Sequence, residues 1–167
     1  MLFIFLLYWR LLCLAGKRRL LILGPSFRRR RESGLLSALE RFDGLFFRVA
    51  RKYLRYVRDV DVVVMVDDLT LVDGDTPLPY REPVGSEWGA PIHRFSKMAL
   101  EKAKEQNEAF LRRKFKNGKY VEVYLAMGKA YAEALPNLAQ FNIKVVFPTY
   151  GGPGPKAQAL RKWITES

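Results

Sequence analysis

Val60-Asp61-Val62-Val63-Val64-Met65-Val66, closed by Asp67-Asp68, decides the fold. Valine dominates the run and no turn former interrupts it. A run apolar at both alternating sets of positions reads as a strand covered by helices on both sides. Two carboxylates stand where such a strand ends. In an open parallel sheet that end is where ligands bind.

Working back toward the N-terminus, Leu20-Leu21-Ile22-Leu23 reads as the first strand, broken by Gly24-Pro25-Ser26. Arg28, Arg29, Arg30 and Arg31 follow, and four adjacent arginines repel one another unless something negative neutralises them. Ser33 is placed to cap a short helix through Leu35, Leu36 and Leu39. Asp43 is placed to cap a second, whose apolar positions are Leu45, Phe46, Val49, Tyr53, Leu54 and Val57. Its other face carries Arg48, Arg51, Lys52 and Arg55, which taken alone reads as a solvated basic stripe.

Working forward, residues 69–91 contain Gly74, Pro77, Pro79, Pro83, Gly85, Gly89 and Pro91, too many breakers for a regular element. Tyr80 and Trp88 favour an ordered loop over a binding cleft. Residues 95–115 read as a helix stopped by Asn117-Gly118, and residues 120–127 as the third strand. Gly128 turns the chain into a helix over 129–141, with Pro136 inside it. Residues 143–147 form the fourth strand. Tyr150-Gly151-Gly152-Pro153-Gly154-Pro155 then leads into a last helix over 156–164. Strands alternating with helices imply right-handed crossovers and a parallel sheet. The expected fold is α/β, a three-layer α/β/α sandwich on a four-stranded parallel sheet.

A length of 167 residues fits one α/β domain over residues 17–167, preceded by an apolar segment over 1–16. Residues 1–15, MLFIFLLYWRLLCLA, are too short to span a bilayer and contain Arg10. Positive charge follows this run rather than preceding it, the reverse of a signal peptide. Three readings compete: an extra element packed on the domain, a membrane-surface helix, or translation from upstream of the true start. Packing ranks first, and the expected location is cytoplasmic.

The formal charge is +12. Residues 1–58 hold 14 basic and 3 acidic side chains, residues 59–93 hold 1 and 8, and residues 94–167 hold 14 and 6. Such an excess favours a polyanion, either nucleic acid or an anionic membrane surface. Cys13 is the only cysteine and His93 the only histidine, so a disulfide framework, a thiolate zinc site and paired imidazoles are excluded. The scarcity of Asn, Gln, His and Cys leans toward a thermophile.

Parallel strands bring Gly24 to Arg31, Asp67-Asp68, Gly128-Lys129 and Tyr150 to Lys156 to one edge. The Gly-Gly-Pro-Gly turn can offer backbone N–H groups to a phosphate. Neither a P-loop nor a G-x-G-x-x-G motif is present, and no cofactor or metal is expected. Asp67, Asp68, Asp73 and Asp75 have the chemistry to hold a hard cation, although turn and cap roles are commoner. The nucleic-acid candidates are Arg28, Arg29, Arg30, Arg31, Lys129, Tyr150, Gly151, Gly152 and Trp88. Arginines beside aromatic rings combine phosphate contact with base stacking.

LTLVDGDTPLPYREPVGSEW, residues 69–88, resembles a segment of the uracil-DNA-glycosylase-like domain of archaeosine synthase, an enzyme related to tRNA-guanine transglycosylases. Leu69, Leu71, Val72, Tyr80, Pro83, Val84 and Trp88 carry the likeness. FDGLFFRVARKY and GKAYAEALPNL are similar to related small α/β proteins. The resemblance spans about residues 18–164. It implies strand order 2-1-3-4 and a role near tRNA or modified guanine. The family motif P-C-x-x-x-K-P-Y-x-x-S-x-x-H is replaced here by GPSFRRRRESGLL. Asp67-Asp68 replace a Ser-Pro pair and Thr70 a Gly, so the family's catalytic residues do not carry over.

Three functional readings stand: a nucleic-acid-binding protein, with tRNA the first candidate; a base- or nucleoside-modifying enzyme; and a membrane-surface or docking protein held by residues 1–15. In the second, Asp67 or Asp68 serves as acid/base and Tyr150 as a stacking wall.

Overall fold

The computed structural model describes residues 17–83 and 95–166. The N-terminal segment, Trp88 and His93 lie outside these residues. The chain is α/β, with a mixed, mostly parallel five-stranded sheet. Its strands are β1 (Arg18–Leu23), β3 (Val60–Met65), β4 (Leu71–Asp73), β6 (Tyr120–Ala126) and β7 (Lys144–Val146), in the order β4-β3-β1-β6-β7. A separate small ribbon pairs β2 (Leu36–Ser37) with β5 (Pro77–Leu78) antiparallel. The helices are α1 (Ala38–Arg41), α2 (Leu45–Leu54), α3 (Lys97–Phe115), α4 (Lys129–Ala132) and α5 (Pro153–Thr165).

The valine run is β3, beside β1 in parallel register with Ile22 opposite Val63. β1 also pairs parallel with β6, and β6 with β7. The four anticipated strands therefore lie in the order 2-1-3-4. The sheet is not purely parallel, however. After Met65 the chain reverses through Val66–Thr70 and returns as β4, antiparallel to β3 with Val64 opposite Val72. Residues 69–91 thus contain β4 and β5, where breakers led us to expect no regular element. The reversal places buried Leu69 at φ 68, a left-handed conformation that bulky side chains rarely adopt. Asn107 holds it: its side chain donates to Leu69 O and Ala134 O and accepts from Leu71 N.

Alternation along the strands splits the core between two faces. Leu20 and Ile22 pack with Val63, Met65, Ala103 and Leu111, the last two from α3. Leu21 and Leu23 pack with Phe47 and Ala50 of α2 and Leu160 and Ile164 of α5. Arg19 ties α5 to the sheet. Its guanidinium is paired with Asp59, stacks 4.7 Å from the Trp163 ring, and donates to the C-terminal carbonyls of Trp163 and Ile164. A cation there also opposes the negative end of the helix dipole.

Other local expectations shift. Leu36 lies in β2, and the helix after it is the single turn α1. Gly44, not Asp43, is the N-cap of α2. The helix expected over 129–141 stops after α4, and a 3-10 turn, Leu138–Phe141, follows Pro136. Proline lacks an N–H and clashes with the preceding turn, so it ends the helix rather than bending it.

Candidate nucleic-acid interface at the strand exits

Between the ends of β1 and β6 the connections leave in opposite senses. One goes through α2 to β3, the other through α4 to β7. This is the switch point where open α/β sheets hold ligands. A cleft of about 360 Å³ lies there, lined by Gly24, Phe27, Leu45, Met127, Tyr131 and Lys156 among others. The two strand ends approach closely at its base. A Cβ added to Gly24 would lie 2.6 Å from the Met127 Cβ.

The N-terminal ends of α2 and α5 border this cleft. Both have glycine N-caps, Gly44 and Gly152, without a side-chain cap. The first N–H groups of a helix lack intrahelical partners and carry partial positive charge. At α5, Pro153 and Pro155 have no N–H, so Gly151, Gly152 and Gly154 supply the donors of that turn. Gly151 has φ 89, a conformation open to glycine. No acidic residue occupies either first turn. Phe27 and Leu45 are exposed at the rim, and the ring of Tyr150, next to Gly151, is 89% exposed.

The arginine quartet divides. Arg29 turns inward: its side chain is only 6% exposed and grips Asp67 through two hydrogen bonds of 2.7 and 2.5 Å. It also donates to Ser26 O and Arg81 O and lies 5.0 Å from the Phe42 ring centroid. Arg30 pairs with Glu32 and Glu40. These two cations, expected to contact phosphate, are already neutralised within the protein. Arg28 and Arg31 remain exposed. Behind them, buried Arg41 shapes the loop by donating to the carbonyls of Arg30, Glu32, Gly34 and Leu78.

Both candidate catalytic carboxylates are engaged. Asp67 is held by Arg29, and Asp68 accepts from Thr70 N and Oγ1 as a turn cap. Asp73 is paired with Lys114. Among the described residues no group of three or more His, Cys, Asp or Glu forms a metal-binding cluster, so the four aspartates do not come together. Lys129 is exposed in α4, outside the cleft lining.

The residues that sequence reasoning missed are Gly44, Leu45 and Phe46; Phe27 belongs to the Gly24–Arg31 stretch expected at this edge but was given no role of its own. Leu45 and Phe46 were read as core, because helical spacing does not reveal that the first turn of α2 ends at an open cleft. Gly44 was hidden by Asp43, whose carboxylate accepts from Arg48 and Arg51 instead of capping the helix. The hydrogen bond from Arg48 is the leading reason that the Asp43 pKa falls below the ordinary aspartate value.

The opposite end of the sheet is self-neutralised. Asp61 accepts from Arg18 and from the Tyr120 hydroxyl at 2.6 Å, with Lys119 at 3.2 Å. Chiefly through the Arg18 hydrogen bond, its pKa lies far below the usual carboxylate range. Burial first, then the bond to Asp61, pushes Tyr120 far above the usual phenol value. Among the described residues, no helix is long and apolar enough to cross a membrane. The chain matches no family model, no curated protein and no solved structure.

Proposed function

We propose that this chain binds nucleic acid, tRNA first among the candidates, through the cleft at its strand exits. In this reading it is a cytoplasmic α/β/α sandwich related to the uracil-DNA-glycosylase-like domain of archaeosine synthase, without that family's catalytic motif. One observation carries the binding site: two glycine-capped helix starts, free of acidic residues, meet around one cleft with Lys156 inside it and Phe27, Leu45 and Tyr150 exposed beside it. Helix starts and lysine suit a phosphate, while the rings suit an unstacked base. Arg28 and Arg31 add exposed charge with no ion-pair partner among the described residues.

The base-modifying alternative has less support. Its acid/base candidates are Asp67, bound by two arginine nitrogens, and Asp68, which holds its own turn. Reaction there would require breaking an arginine–carboxylate pair that shapes the site.

The test is fluorescence anisotropy with a labelled single-stranded RNA carrying or lacking a 5′-phosphate, and with tRNA. Binding should weaken steeply with salt, and Lys156→Glu should weaken it about tenfold for a contact of roughly 1.4 kcal/mol. The phosphorylated end should be preferred in the parent protein and lose its advantage in the variant. Absence of binding at low salt would reject the reading.

A further inference from the structure

We propose that the outer face of α2 and α5 is a second surface for single-stranded nucleic acid, continuous with the cleft. The inference rests on the nucleic-acid reading above but draws on different residues. Neither helix contains a carboxylate: α2 is LFFRVARKYL and α5 is PGPKAQALRKWIT. Lys52, Arg55, Arg58 and Arg161 have no ion-pair partner among the described residues. Nearby acids are already engaged, Asp43 by Arg48 and Arg51, Asp59 by Arg19 and Glu166 by Lys162.

Aromatic rings lie among these cations. Lys52 Nζ and the Arg161 guanidinium stand 5.4 and 5.1 Å from the Tyr53 ring, joining the two helices. The Arg55 guanidinium lies 5.9 Å from the Tyr56 ring, which is 73% exposed. Cations interleaved with an open aromatic ring match a phosphodiester backbone and a base that stacks. Both helices begin at the cleft, and ten residues of α2 extend about 15 Å from it. A strand whose terminal phosphate sits in the cleft would continue along this face.

Charge and shape favour nucleic acid over a lipid surface. Membrane-surface helices present large apolar side chains opposite their basic residues. Here the apolar residues of α2 and α5 are spent on the sheet apart from Leu45, which opens onto the cleft rather than this face, and the exposed ring beyond them is tyrosine.

The experiment compares the parent protein with Lys52→Glu/Arg55→Glu/Arg161→Glu and with Lys102→Glu/Lys104→Glu/Arg113→Glu on α3, which changes net charge equally. The probe is a labelled, 5′-phosphorylated single-stranded RNA titrated over a salt series. Loss of three phosphate contacts should lower the slope of log K against log salt by about two, with binding at least ~100-fold weaker at low salt. The α3 variant should retain most of the affinity. Tyr56→Ala should weaken binding about tenfold, and it keeps the test decisive should the triple variant unfold. Equal losses in the two triple variants would overturn this surface while leaving the cleft reading intact. Loss in the α2–α5 variant alone, with no response to Lys156→Glu or the 5′-phosphate, would support this surface and reject the cleft. Binding to phosphatidylserine vesicles but to no RNA would overturn both.

Discussion

On one face of the sheet, α2 and α5 carry Arg48, Arg51, Lys52, Lys156, Arg161 and Lys162 with no carboxylate among them. On the other, α3 carries Lys97, Lys102, Lys104, Arg112, Arg113 and Lys114 interleaved with Glu101, Glu105 and Glu108. Both faces bury apolar side chains against the same strands. The difference lies in how the surface charge is neutralised. Along α3, Lys97 faces Glu101 and Glu108 faces Arg112 one helical turn apart, the spacing at which opposite charges support a helix. Solubility needs no more than this. Along α2 and α5, Arg48 and Arg51 pair with Asp43 and Lys162 with Glu166, both carboxylates lying outside the helices, while Lys52, Lys156 and Arg161 have no ion-pair partner among the described residues and repel one another at some cost to the compact state. A bound polyanion would offset that cost, so under the proposed reading the comparison points to this face where total charge alone does not.

Each face also has a buried polar side chain that frames a loop, and removing it is the harshest way to break the comparison. Arg41 is 2% exposed and binds four backbone carbonyls. Arg41→Ala should cost about 4 kcal/mol in urea denaturation, because it removes a buried side chain whose several hydrogen bonds, at about 1 kcal/mol each, hold four part-buried carbonyls together. It should also weaken RNA binding, since the loop of Arg28 and Arg31 loses its frame. Asn107, 1% exposed, is the counterpart under α3. Asn107→Ala should cost about 3 kcal/mol by freeing the groups that pin Leu69 at positive φ. Under mildly stabilising conditions its RNA affinity should be unchanged. A loss of affinity in Asn107→Ala equal to that in Arg41→Ala would mean that the faces are not functionally distinct.

A smaller effect should appear at the far end of the sheet. Asp61→Asn should destabilise the protein by about 2 kcal/mol by removing a charge-assisted acceptor from Arg18. The pH dependence has a definite sign. Because the folded pKa of Asp61 is depressed from 3.8, its stabilisation is complete above that value and drains away as pH falls below it. The denaturation midpoint of the parent should therefore drop more between pH 4 and pH 2 than that of Asp61→Asn. Parallel curves would show that the Arg18–Asp61 pair contributes nothing measurable.

Much of the frame was legible. The valine run and residues 20–23 are apolar at both alternating sets of positions, which betrays strands packed on two sides, and glycine or proline punctuates each exit. The β3–β4 hairpin was hidden because its left-handed residue is Leu69, not the glycine or asparagine that advertises such a turn; tertiary contacts from Asn107 impose it. The edge that holds the cleft followed from parallel topology, and with it the lining from Gly24 to Phe27, Gly128, Gly151 to Pro153 and Lys156; the contribution of Gly44, Leu45 and Phe46 did not. Arg29 and Asp67, each proposed separately as functional, lie 38 positions apart in the chain and pair with each other. Charge counting cannot reveal such a pairing. The basic stripe of α2 looked like a solvated face until the fold set α5, also without a carboxylate, beside it.

The smallest effect sharpens the comparison most. Glu101→Ala removes the partner of Lys97, whose side chain is 90% exposed; such surface pairs contribute well under 1 kcal/mol, so stability should fall by at most ~0.5 kcal/mol. Arg161→Glu, inside α5 and away from its last turn, should move stability by a similar amount in the opposite direction, because a carboxylate now stands beside the unpaired Lys52 across the Tyr53 ring. The sign is the informative quantity. Where a substitution stabilises the fold and weakens RNA binding, the original side chain was kept against the interest of the folded state. Salt should shrink both changes, since exposed charges are screened beyond about 10 Å at 0.1 M. Thermal denaturation of the two variants at low and high salt measures this directly. If Arg161→Glu destabilises the protein, the α2–α5 cations are held by contacts within the chain, and the charge asymmetry between the faces loses its meaning as a binding signal.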